Sequence, residues 1–134
     1  MRSINQIIIV LLCVTAISCK LRDEDGENPP VLFEGLPNGE SVQIISMGKS
    51  TLGSGEEVFY LRYKSELAIT DNQGIEQEII DVWSAFQEQV VASGLSTGIV
   101  QARIEHKTQI STSSRSVDRR YVLGVNGQWT QAPH

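Results

Sequence analysis

The stretch Thr70-Asp71-Asn72-Gln73-Gly74-Ile75-Glu76-Gln77-Glu78-Ile79-Ile80-Asp81-Val82-Trp83-Ser84-Ala85-Phe86-Gln87-Glu88-Gln89-Val90-Val91-Ala92-Ser93-Gly94 decides the fold. At about 100° per residue, Ile75, Ile79, Val82, Trp83, Phe86 and Val90 fall on one face, while Glu76, Gln77, Asp81, Ser84 and Glu88 lie mostly away from it. Thr70 to Gln73 offers a capping box and Gly94 a stop, so the spacing predicts a helix from about Asp71 or Gln73 to Ser93. A helix with one apolar stripe needs an apolar surface to cover. Ile80 and Val91 lie outside the stripe, and the Val31–Phe33 segment is the expected cover for that flank.

The segments on either side of the helix have the period of strands. Upstream, Ser41 to Met47 and Glu57 to Leu67 read as strands joined by a flexible connection from Gly48 to Gly55. Phe59, Leu61 and Tyr63 fall on one side of the second strand, Val58, Tyr60 and Arg62 on the other. Downstream, Gly98 to Ile110 alternates Val100, Ala102, Ile104, His106, Thr108 and Ile110 against Gln101, Arg103, Glu105, Lys107 and Gln109. Ser111 to Ser116 reads as a polar loop, and Asp118 to Val125 as a further strand. Asn126-Gly127 signals a hairpin of the primed type that folds Gln128-Trp129-Thr130 back as a short edge strand. The expectation is an α+β fold, one helix packed on an antiparallel sheet, in the order ββα-βββ.

Few residues advertise chemistry. His106 is the one histidine expected in the folded body, because His134 is the C-terminal residue. Placed on the inward row of its strand, it reads as a core or rim histidine. The competing reading is a pocket between helix and sheet formed by Trp83, Phe86 and His106, serving ligand binding or hydrolysis. Neither a Gly-x-Ser-x-Gly elbow nor a metal-ligand spacing is present, and no cofactor, metal or catalytic residue is expected. Gly48-Lys49-Ser50-Thr51 resembles the end of a phosphate loop, but Gln43 stands where the first glycine belongs and no helical pattern follows. Arg115, Arg119 and Arg120, with Arg62 and Lys64, form a candidate partner patch for an acidic surface, weighed against a charged edge that only blocks strand pairing.

Ahead of the domain, Lys20 to Pro30 is polar and ends in two prolines. With too little apolar area to offset ordering entropy it reads as a flexible tether, reaching at most about 40 Å when extended. Before it, Arg2 and the apolar run Ile7-Ile8-Ile9-Val10-Leu11-Leu12-Cys13-Val14 precede Thr15-Ala16-Ile17-Ser18-Cys19. The run is too short to span a bilayer, which takes roughly 20 apolar residues. It resembles the leader and lipobox of bacterial lipoproteins, and the resemblance covers these residues alone. In that family the cysteine, here Cys19, takes a diacylglycerol on sulfur, the leader is removed before it, and fatty acids such as palmitate make the anchor. The resemblance implies a signal peptide over residues 1–18, and the composition behind it reads as a tether over 19–30 and a single domain over 31–134. Lys20 after the cysteine, where Asp would signal inner-membrane retention, points to the outer membrane.

Removing eighteen of the 134 residues leaves enough chain for one domain with a modest core. Loss of Arg2 leaves ten of the 11 Lys and Arg against 16 Asp and Glu, one charge more negative than the −5 of the whole chain. Nucleic acid, which needs clustered cations, is not an expected partner. With Cys13 removed and Cys19 lipidated, no intrachain disulfide remains. The sequence thus predicts a lipid-anchored cell-envelope protein whose domain is a non-enzymatic binding or accessory module, held at the membrane through Cys19 and meeting an envelope protein partner. Inhibition of a secreted enzyme, with Gly48 to Gly55 and Ser111 to Val117 as inserting loops, is the remaining alternative.

Overall fold

The computed structural model describes residues 29–133. The segment expected to be a signal peptide, Cys19, the expected tether up to Asn28, and His134 lie outside the described residues. From Val31 onward the chain forms one compact unit. Its elements are β1 (Leu32–Phe33), β2 (Val42–Thr51), β3 (Glu57–Ser65), α1 (Asn72–Ala92), β4 (Thr97–Lys107), β5 (Thr112–Leu123) and β6 (Trp129–Gln131). The six strands form one sheet in sequence order, and α1 packs on one face of it. The fold class is α+β, one helix on a sheet that is antiparallel at every junction except β3–β4.

That one parallel junction departs from the expected all-antiparallel sheet, and its cause is the helix. A hairpin reverses the chain, whereas a 21-residue helix returns it to the starting end of its neighbour, so β4 runs beside β3 in the same direction. The order is βββ-α-βββ, one strand more than expected, because Leu32–Phe33 pairs with Val42 and Gln43 at the edge of β2. There Phe33 turns inward and meets Phe86 edge-on at 6.2 Å. It therefore does not cover the outer helix flank, where Ile80 and Val91 stay 48% and 58% exposed.

The helix forms where the sequence places it. Asp71, rather than Thr70 of the expected capping box, is the N-cap, its Oδ1 accepting from the Gly74 N–H at 3.0 Å, and Gly94 leaves the helix at φ 78°. All six stripe residues are buried, and they meet Leu61 and Tyr63 from β3, Val100, Ala102 and Ile104 from β4, and Val117 and Tyr121 from β5. Aromatic rings fill this seam. Trp83 lies flat on Tyr121 at 4.1 Å and 4° between planes, meets Trp129 edge-on at 5.2 Å and Phe86 at 6.2 Å, and Phe86 stacks on Phe59 at 5.5 Å.

Several boundaries shift for local reasons. β2 continues through Gly48-Lys49-Ser50-Thr51, so the expected flexible connection shrinks to a tight turn closed by Gly55 N–H donating to Leu52 O. β5 begins at Thr112, so the expected loop Ser111 to Ser116 is mostly strand. Beyond β6's short reach β5 is an edge, exposed on both faces from Thr112 to Ser116, and polar residues suit it there. β4 stops at Lys107 because Thr108 turns the chain, its N–H donating to Ser111 O and its Oγ1 accepting from Ser111 N–H. The Asn126-Gly127 hairpin is not of the primed type. Only Gly127 has positive φ, 78°, with its N–H on Gly124 O and the Gly124 N–H on Gln128 O, the pattern of a type I turn with a glycine bulge.

Candidate functional site

Strand alternation separates the sheet into two faces with different fates. The face carrying Leu61, Tyr63, Val100 and Ala102 is closed by α1. Among the described residues no helix lies over the opposite face. There the register lines up residues across four strands: Ser46, Arg62, Gln101 and Asp118 form one row, and Gly48, Tyr60, Ile99 and Arg120 the next. Beside these rows β2 contributes the small residues Ser46, Gly48 and Ser50, while β3 and β4 contribute Tyr60, Arg62, Ile99 and Gln101. The height step leaves a hollow of about 420 Å³ lined by Ser46, Ser50, Tyr60, Arg62, Ile99, Gln101 and Asp118, with Leu52 and Val58 at its base. Its size lies within the range of about 300–1,000 Å³ usual for small-ligand sites.

The floor and one end of the hollow are fixed. Val58 is 1% exposed yet takes no part in the cluster beneath the helix, so it is buried on this second face. Thr97, also 1% exposed, donates from Oγ1 to Glu56 Oε1 at 2.6 Å, and Arg120 forms an ion pair with Glu56 Oε2. This strap ties the end of the β2–β3 turn to β4 and β5. The Thr97 hydroxyl, with a smaller contribution from Arg120, holds the Glu56 carboxyl below its ordinary value against the opposing effect of burial. In the middle of the hollow the Arg62 Nε–H donates to Gln101 Oε1 at 2.5 Å, fixing guanidinium and amide together. Among the described residues neither Arg62 nor Asp118 has an ion-pair partner.

The three arginines read as one patch are divided by the sheet. Arg115 and Arg119 project to the helix side, Arg120 to the hollow side. Each is engaged: Arg115 Nη1 donates to Asn72 Oδ1 at 2.7 Å and Ile69 O at 3.1 Å, Arg119 pairs with Glu76 on the helix, and Arg120 pairs with Glu56. They fasten elements together.

Of the residues expected to line a helix–sheet pocket, His106 is not brought to the other two. Trp83 sits over Gly98 and against Phe86 in the packed seam. His106 is exposed, eight positions further along β4, a backbone separation of about 26 Å at 3.3 Å per residue. Ile104 is the last β4 residue the helix buries, which is why the inward row ends before His106. His106 also projects to the face opposite the hollow. Among the described residues no group of three or more His, Cys, Asp or Glu side chains is placed to hold a metal ion, and no helix is long and apolar enough to cross a membrane.

Tyr60, Gln101, Asp118, Ser46 and Ser50 are the hollow residues that reading along the sequence does not single out. The available signal is parity. Tyr60 and Arg62 belong to the mixed side of β3 and Gln101 to the polar side of β4, but only the register between strands makes them neighbours. No protein-family model, curated protein or solved structure matches this chain.

Proposed function

We propose that this chain is a lipid-anchored bacterial cell-envelope protein, held through Cys19, whose domain is a non-enzymatic binding module that uses the hollow on the open face of its sheet. The observation that carries the reading is the contrast between the two faces: one filled by the helix and its aromatic seam, the other holding a 420 Å³ hollow with a pre-positioned Arg62–Gln101 pair. The side chains there are a guanidinium, an amide, a carboxylate, a phenol and hydroxyls, groups that hold a ligand by hydrogen bonds. Ser46 and Ser50 have no histidine beside them among the described residues, since His106 belongs to the other face. The leader resemblance supports the membrane address, and a tether followed by a compact domain suits a module that meets its partner close to a membrane.

The test combines labelling with radioactive palmitate, envelope fractionation and affinity capture from intact cells. The wild-type protein is expected to carry label and sediment with envelopes, and Cys19→Ala to lose both. Arg62→Ala is expected to keep its anchor and lose its captured component. Capture that survives Arg62→Ala, Gln101→Ala and Tyr60→Ala alike would contradict the assignment of the hollow.

A further inference from the structure

Resting on the reading of the hollow as a binding site, we infer that its ligand is a neutral saccharide. The first argument is charge. The hollow is lined by one cation, Arg62, and one anion, Asp118, set about 10 Å apart at the backbone across the intervening Gln101 strand. Neither is neutralised within the described part of the protein, and together they sum to zero, so a ligand bearing one net charge would meet a like charge as well as an opposite one. Lys64 and Arg103 occupy the next row and do not line the hollow.

The second argument is the alternation of surface types. Tyr60 and Ile99 present an aromatic ring and an aliphatic wall in one row, and Arg62, Gln101 and Asp118 present donors and acceptors in the adjacent row. A sugar ring has the matching division: a C–H face that lies against an aromatic ring, and hydroxyls around its rim that both donate and accept. Guanidinium, amide and carboxylate together satisfy both roles, whereas an apolar ligand would offer Asp118 no donor and Arg62 no acceptor beyond Gln101. The third argument is access. Gly48 lies beside Tyr60 in the register, and a Cβ at Gly48 would find no heavy atom within 4 Å, so the space next to the ring is open to a ligand.

The test is calorimetric titration of the full-length chain in detergent with a panel of neutral saccharides from mono- to tetrasaccharides, and with citrate and cadaverine as charged probes. At least one neutral saccharide is expected to bind. Tyr60→Ala and Gln101→Ala should each weaken it about tenfold, and Tyr60→Phe should retain it. Gly48→Val, whose Cβ meets no heavy atom within 4 Å, should abolish binding without lowering the thermal unfolding temperature. Binding indifferent to Gly48→Val and Tyr60→Ala would overturn the site. If only the charged probes bind, or no saccharide in the panel does, the ligand class is overturned. Hollow-dependent capture from envelopes persisting in that case would leave the binding-module reading standing.

Discussion

Gly98 of β4 lies directly beneath the ring of Trp83. A Cβ built at Gly98 would come within 2.6 Å of Trp83 Cζ3 and 2.9 Å of Cη2, with Val90 Cγ2 at 3.0 Å. The ring cannot retreat easily, since it is stacked on Tyr121 and edged by Trp129 and Phe86. The absence of one side chain lets the helix settle onto the parallel junction of the sheet. Gly98→Ala is therefore expected to lower stability by about 1–3 kcal/mol, the usual cost of overpacking a core. Adding Trp83→Leu should make the double variant's loss smaller than the sum of the two single losses, measured by urea unfolding.

The helix start rests on one side chain. Asp71→Ala removes the acceptor for the Gly74 N–H and is expected to cost about 1 kcal/mol, while Asp71→Ser keeps most of the stability. Denaturant midpoints at pH 7 check both.

Acid should act through Glu56. Its carboxyl is held below its ordinary value of 4.5, chiefly by the Thr97 hydroxyl and less by Arg120. The folded state therefore binds the proton more weakly than the unfolded chain does. The resulting stabilisation is complete above that ordinary value and is lost as pH falls through the lower folded value. Glu56→Gln is expected to flatten this acid limb of a stability-versus-pH curve, and Thr97→Val to reduce it.

At the other end of the pH scale the relevant group is Tyr63. Its hydroxyl is buried under the helix without a hydrogen-bond partner, and burial, followed by the nearby Glu78 carboxylate, pushes the phenol well above its ordinary value of 10.0. The stabilisation is present below that ordinary value and is lost as pH rises above it, where only the unfolded chain ionises. Tyr63→Phe should remove this alkaline loss. At neutral pH it should leave stability unchanged or raise it by about 1 kcal/mol, because an unsatisfied buried hydroxyl is removed. Thermal unfolding at neutral and alkaline pH distinguishes the two effects.

Local periodicity carried the parts of the fold that depend on neighbours along the chain. The six residues of the helix stripe are the six that the helix buries, and Val100, Ala102 and Ile104 face the core as their alternation requires. The same alternation fails at His106 and Ile110, because it specifies which side a residue takes and not how far along the strand the helix extends. Arg119 and Arg120 are adjacent in sequence and end on opposite faces, each holding a different carboxylate. The hollow is less legible still. Ser46, Arg62, Gln101 and Asp118 come from four strands, and their meeting depends on registers set by a bulge between Ile44 and Ser46 and by the helical crossover.

The most direct test of the central claim is photo-crosslinking in intact cells, with a photoreactive residue at position 60 in the hollow or at position 84 on the exposed side of the helix. The account predicts a discrete crosslinked species from position 60, absent from position 84 and lost when Cys19→Ala removes the anchor. Equal crosslinking from the helix, or crosslinking from position 60 that is unaffected by Cys19→Ala, would contradict an anchored module that binds through the open face of its sheet.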